Sequence, residues 1–161
     1  MANARINNMT IPLIVMILTQ NLKYYILSNV VITYVMQYIY VMLLNPLSKE
    51  EEKVVVHKGT EPPFSGKYDA FFNEGTYVCR RCNTPLYTSN SKFHSSCGWP
   101  SFDQEIKGAV THIPDFDGIR TEIQCSACKA HLGHVFFKEH FTKKNIRHCV
   151  NSLSLQFVPK K

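Results

Sequence analysis

The chain has no run of five or six like charges, although its formal net charge is +6. Lysine and arginine are spread along it, so no basic arm is available to grip an anionic polymer, and no nucleic-acid partner is expected. No small-residue A-x-A site follows its apolar N-terminal region, which argues against a cleaved targeting segment. No βαβ pattern surrounds its C-x-x-C pairs, which argues against a thioredoxin-type redox motif. No long amphipathic helix is evident beyond residue 46, and that leaves strands as the main building material.

Residues 1–46 also lack acid and glycine altogether and hold two basic residues, Arg5 and Lys23. The run from Tyr24 to Leu44 is uncharged over 21 residues, long enough for a helix to cross about 30 Å of hydrocarbon. Tyr24, Tyr25, Tyr38 and Tyr40 lie toward its ends, where aromatic side chains favour headgroup depth. Ile11–Leu18 is a second, shorter apolar run. Three readings stay open: a membrane anchor touching lipid through residues 11–44, a targeting segment, or an upstream stretch outside the working protein. Cytoplasmic location is the expectation unless the anchor is genuine.

From Leu47 the composition changes, with frequent glycine, proline and paired charges. Residues 47–161 hold 16 basic and 12 acidic residues, and their length suits one domain. An all-β fold of antiparallel sheets with short helices is expected. Ser48 followed by Glu51 fits a capping box for a helix over Ser48–Val54. Gly75–Cys79 and Pro85–Tyr87 read as strands. Asp115-Phe116-Asp117-Gly118 reads as a turn leading into a strand over Ile119–Cys125, whose alternate residues divide between two faces. A last strand is predicted from Arg147 to about Phe157.

Four of the six cysteines form two C-x-x-C pairs, Cys79/Cys82 and Cys125/Cys128. Thiolates two residues apart can face one ion, and a closed set of four sulfurs favours structural zinc with no position left for substrate. Zinc clamping two hairpins of the fold is the expected arrangement, and free thiols of this kind imply a reducing compartment.

Cys97 and Cys149 stand apart. If Arg147–Phe157 is one strand, then Arg147, Cys149 and Asn151 share a face with Leu153, Leu155 and Phe157. A guanidinium beside a thiol favours thiolate, the nucleophilic form. Taken alone, Cys149 would read as a small buried hydrophobe; the neighbouring Arg147 and Asn151 shift the balance. His131 and His134 would face opposite ways if strictly extended, and Gly133 permits a bend that brings both to one side. Either imidazole can donate a proton near neutral pH. Cys97 lies in a Gly/Pro loop with Trp99, the only tryptophan, which can wall an apolar methyl or thioether. One low-pKa thiol and one loop thiol suggest an attack-then-resolve pair.

With these residues assembled, the chain resembles the B class of methionine sulfoxide reductases from about Lys58 to Pro159. The resemblance rests on Gly59-Thr-Glu-Pro-Pro-Phe-Ser-Gly66, Cys97-Gly-Trp-Pro-Ser-Phe102, Arg120-Thr-Glu122, His131-Leu-Gly-His-Val-Phe136 and Arg147-His-Cys-Val-Asn-Ser152, with both knuckles in the family's order. It implies zinc on Cys79, Cys82, Cys125 and Cys128, and repair of methionine-R-sulfoxide in oxidised proteins as a defence against oxidative damage; whether the free amino acid is also a substrate stays open. It further implies Cys149 as nucleophile, His131 or His134 as proton donor, Cys97 as resolving thiol and thioredoxin as reductant. Arg147 and Asn151 carry over as partners at the centre, and Trp99 and Phe136 as substrate-binding groups. The chain departs from the family pattern at His94-Ser95-Ser96, at His148 and over residues 137–146. A zinc-ribbon binding module and a non-catalytic zinc scaffold are the competing readings; neither accounts for Cys149, Asn151 and Trp99 together. A monomer is expected.

Overall fold

A computed structural model describes residues 29–37, 44–115 and 117–160. Contacts divide the chain into two units, Met1–Leu43 and Leu44–Lys161. In the first, residues 29–37 are helical. Most of the remaining run from Tyr24, and all of Ile11–Leu18, lie outside the described residues. Among the described residues no helix is long and apolar enough to cross a membrane.

The second unit opens with helix α1 (Lys49–Val55), and its capping box is complete: Glu51 N donates to Ser48 Oγ, and Ser48 N donates to the Glu51 carboxylate. Glu50, Glu51 and Glu52 in the first turn and Lys53 in the last complement the helix dipole. Val54 and Val55 are buried, and Glu51 also pairs with Arg80, which ties the helix to the first C-x-x-C knuckle.

Among the described residues nine strands follow: β1 (Gly75–Cys79), β2 (Pro85–Thr88), β3 (Lys92–Phe93), β4 (Ser101–Phe102), β5 (Val110–Pro114), β6 (Thr121–Cys125), β7 (His131–Phe137), β8 (Ile146–Val150) and β9 (Leu155–Pro159). They form a three-stranded sheet, β2-β1-β9, and a six-stranded sheet, β3-β4-β8-β7-β6-β5. Every pairing is antiparallel. The fully buried core includes Tyr77, Leu86, Tyr87, Phe102, Ile123, Leu132, Val150 and Leu155. Tyr87 stacks on Phe102 at 4.3 Å between centroids, and Tyr77 meets the same ring edge-on at 5.0 Å.

Two strand expectations need correction. β6 starts at Thr121 instead of Ile119, because the Asp117 carboxylate accepts from the Ile119 and Arg120 amides and holds them in the turn. The long last strand is in fact two strands in different sheets. After Val150 the chain makes a single 3₁₀ turn, Ser152–Ser154, and re-enters as β9 beside β1. Glu61 causes the break: its carboxylate accepts from Ser152 N and Leu153 N, two amides a continuous ladder would have used. Cys149 and Leu155 therefore do not share a sheet face.

Gly133 sits where β7 passes closest to β8. A Cβ there would lie 2.0 Å from the Cys149 carbonyl oxygen. Gly133→Ala must push the two strands apart, and overpacking of this kind costs about 1–3 kcal/mol. A urea midpoint unchanged at constant slope would contradict that close approach.

Candidate active site

The register of the large sheet lines up one cross-strand row. Ser101 pairs with Cys149, Cys149 with His134, and His134 with Glu122. Directly opposed residues in an antiparallel ladder point to the same face, so these four side chains stand together. Arg147, two residues before Cys149 on β8, joins them. β6 buries both its faces: Glu122 and Gln124 are covered as thoroughly as Ile123 and Cys125. The face that carries Glu122 and Gln124 is the face that builds the site.

Cys97 comes from the loop before β4, where Ser96 (φ 58°) and Gly98 (φ 91°) turn the backbone through the left-handed region. Gly98 is required twice, since a Cβ there would lie 2.8 Å from Phe64 N, which donates to the Gly98 carbonyl. This turn places Cys97 Sγ 3.8 Å from Cys149 Sγ, with Ser95 Oγ at 2.9 Å and Ser101 Oγ at 3.5 Å. The sulfur–sulfur hydrogen bond, helped by the two hydroxyls, pulls Cys97 down to about 4 despite its partial burial. The same bond, with burial and the Cys97 charge, pushes Cys149 up, and Arg147 only partly opposes this. Arg147 favours the Cys149 thiolate, as expected, but the neighbouring Cys97 sulfur and burial act against it.

Arg147 lies over the Phe136 ring at 4.5 Å and donates through Nε and Nη2 to Glu139 at 2.7 and 2.9 Å. Its buried Nη1 has no hydrogen-bond partner. Glu139 belongs to the departing 137–146 segment, and sequence reasoning did not single it out.

An irregularity in β7 at Leu132, beside Gly133, accompanies a separation of 5.7 Å between the centroids of the two histidine rings, the bend that Gly133 was expected to allow. His131 Nδ1 lies 2.7 Å from Glu122 Oε1, and its buried Nε2 has no hydrogen-bond partner. Burial pushes His131 down, with Glu122 only partly opposing. Burial also raises Glu122, but Lys58, Gln124 and His131 outweigh it and hold the carboxyl at about 2. His134 Nε2 is 2.7 Å from Asp115 Oδ2. Both histidines are therefore oriented by carboxylates, Glu122 and Asp115, that periodicity alone could not pair with them.

Asn151 departs from its expected place beside Cys149. It is buried in the crossover, donating from Nδ2 to Leu132 O and accepting from Glu61 N, both at 3.1 Å. Both ends of its amide thus bond to backbone groups. Glu61 also accepts from Trp99 Nε1 through its carbonyl at 3.1 Å, so one residue holds the Trp99 ring, Asn151 and the crossover together.

The four remaining cysteines converge. Their Sγ atoms all lie within 4.8 Å of one another, with Cys79–Cys128 and Cys82–Cys125 at 3.6 Å, and no disulfide is formed. The two knuckles are built alike. Asn83 N donates to Cys79 O and Lys129 N to Cys125 O, each at 2.9 Å, and Asn83 (φ 61°) and Lys129 (φ 62°) close the turns. Four soft donors at separations near those of a tetrahedral sulfur shell fit a structural metal ion.

Residues 47–159 match the family model described as the SelR domain. Peptide methionine sulfoxide reductase B3, chloroplastic, of Oryza sativa subsp. japonica is 54% identical over 114 residues, which are 70% of this chain and 50% of that protein. Peptide methionine sulfoxide reductase B5 of Arabidopsis thaliana is 52% identical over 116 residues, 71% of this chain and 84% of its own length. A bacterial relative, peptide methionine sulfoxide reductase MsrB of Teredinibacter turnerae, is 49% identical over 118 residues, 71% of this chain and 87% of its own. The match thus spans half of the rice protein and more than four-fifths of the other two.

Proposed function

Because the chain belongs to the SelR-domain family of oxidoreductases, whose relatives are B-type peptide methionine sulfoxide reductases, we propose that Cys149 reduces the R epimer of methionine sulfoxide. The substrate is protein-bound, with the free amino acid a second one, and thioredoxin is the dithiol that restores the enzyme. The observation that carries this reading is the pair of sulfurs 3.8 Å apart, one on the central strand β8 and the other in a loop.

The steps balance without an external oxidant. Cys149 transfers its proton within the pair and attacks the sulfoxide sulfur as thiolate. His134, directly across the ladder from Cys149, is better placed than the more deeply buried His131 to protonate the sulfoxide oxygen. That oxygen passes as hydroxyl from the substrate sulfur to the Cys149 sulfur as the bond between the two sulfurs breaks, so methionine leaves and Cys149 becomes a sulfenic acid. The Cys97 sulfur then displaces water to form the Cys97–Cys149 disulfide, which an external dithiol reduces. Trp99 walls the substrate methyl group, and Arg147, held on Phe136 by Glu139, stabilises negative charge on Cys149.

We infer that one Zn2+ sits on Cys79, Cys82, Cys125 and Cys128 and supplies a structural clamp alone, because four protein ligands leave no open position. Free thiols at both sites suit a reducing compartment such as the cytoplasm.

Turnover of the two separated epimers of a blocked methionine sulfoxide tests the reading, first with dithiothreitol and then with thioredoxin. Reduction of the R epimer alone is expected. A folded, zinc-loaded protein that reduces neither epimer, or only the S epimer, would overturn it.

A further inference from the structure

Among the described residues there is a second group of potential metal ligands, behind the sheet from the two reactive sulfurs: Glu105, His112 and His148. His148 is next to Cys149 on β8, so its side chain points to the opposite face. His112 is on β5, and two strands, β7 and β6, separate β5 from β8 in the ladder. The two rings nevertheless lie 5.4 Å apart. The large sheet therefore curls, with these imidazoles meeting across its concave side. Glu105 approaches from the loop between β4 and β5.

Three features set this group apart from a chance cluster. His148 is 0% exposed, yet its Nε2 has no hydrogen-bond partner among the described residues. The Glu105 carboxylate oxygen stands 3.1 Å from that nitrogen without meeting the direction a hydrogen bond requires. The other ring nitrogen, Nδ1, is 3.2 Å from the buried Tyr87 hydroxyl. An outer hydrogen bond of this kind orients the ring and leaves Nε2 free to ligate. His112 is exposed and Glu105 is partly so, which gives a cation a path in.

We propose that Glu105, His112 and His148 form a binding site for a divalent transition cation such as Zn2+, separate from the four-cysteine site. The three ligand atoms already lie within 4.8 Å of one another. Bonds of about 2.0–2.2 Å in tetrahedral geometry need them about 3.3 Å apart, and rotation of the accessible Glu105 and His112 side chains supplies the difference. Two imidazoles and one carboxylate leave a fourth position for water. The ion ties β5 to β8 across the concave face and braces the strand that carries Cys149.

The test is calorimetric titration of Zn2+ into full-length protein already holding one zinc per chain, with Cys149→Ser protein alongside. A second equivalent is expected in both, accompanied by a rise in melting temperature. His112→Ala and Glu105→Gln, both at accessible side chains and outside the reductase machinery, are expected to weaken it at least tenfold and to abolish that rise. Absence of a second equivalent, or its survival at full affinity in His112→Ala, overturns the proposal. Loss in Cys149→Ser alone would assign the ion to the thiol pair and overturn it as well. None of these readouts depends on reductase activity, so failure here and failure of the proposed function are distinguishable.

Discussion

Cys149→Ser is expected to abolish reduction of methionine-R-sulfoxide with every reductant, by a factor of about 10³ or more, because a hydroxyl cannot replace thiolate as nucleophile or form the sulfenic acid. Cys97→Ser is expected to behave differently. It keeps the nucleophile, so dithiothreitol, small enough to reach the sulfenic acid, continues to drive turnover. Thioredoxin-driven turnover is lost, because no disulfide forms for it to reduce. The geometry adds a sharper expectation. The hydrogen bond to Cys97 and burial push the Cys149 thiol up, against the pull of Arg147. Removing the Cys97 sulfur deletes the first cause and leaves the guanidinium, so the Cys149 pKa falls. Iodoacetamide alkylation of the Cys149 peptide, followed against pH by mass spectrometry, shows this as a shift of its reactive limb to lower pH in Cys97→Ser. A limb unmoved, or moved upward, would show that the two sulfurs do not share a proton. If both variants retain thioredoxin-driven turnover, the chemistry lies elsewhere.

Removing the metal is expected to unfold the second unit. Cys79 ends β1 of the small sheet, and Cys125 ends β6 of the large one. The ion therefore joins the two sheets across a contact that otherwise depends on core side chains. Structural zinc contributes about 10–16 kcal/mol in zinc-finger peptides, whereas whole domains are stable by about 5–15 kcal/mol. Withdrawal of the ion therefore removes as much as the fold has to spare. Chelation with a high-affinity ligand, or Cys125→Ser, is expected to release one zinc per chain and collapse the near-UV circular dichroism. Activity disappears with it, although Cys149 is untouched. A metal-free protein that keeps its melting transition and its turnover would reduce the four cysteines to a dispensable cluster.

Local chemistry was readable from the sequence; long-range partners were not. The capping box at Ser48 and Glu51, the strands at Gly75 and Pro85, and the two knuckles each depend on residues a few positions apart, and all appear in the structure. The strand drawn through Arg147–Phe157 failed because its alternation runs unbroken across a place where the backbone changes partners. The cause of that change, the Glu61 carboxylate, lies 91 residues from Ser152 in the chain. Asn151 was misplaced with it. Glu122 and Asp115 went unassigned for a related reason: an acid on the polar side of a strand, or at the start of a turn, reads as a solvated charge until the fold sets a histidine beside it. Glu122 in Arg120-Thr-Glu122 and Glu61 in the Gly59–Gly66 stretch both fell within motifs that carried the family resemblance, and that was the available signal.

The crossover after β8 has a consequence for how the two sulfurs divide the motion. From Val150 to Ser154 every backbone amide is engaged, with Pro100, Leu132, Glu61 and Asn151 as acceptors. Cys149 is therefore moored. A disulfide needs its sulfurs about 2.05 Å apart, and they start 3.8 Å apart, so the travel falls to Cys97 and its glycine-hinged loop. That loop also carries Trp99 and receives the Phe64 amide. On the proposed mechanism, the oxidised protein would wear a different face from the reduced one at the mouth of the site. A reductant reading that face would tell a spent molecule from a fresh one before any sulfur is exchanged.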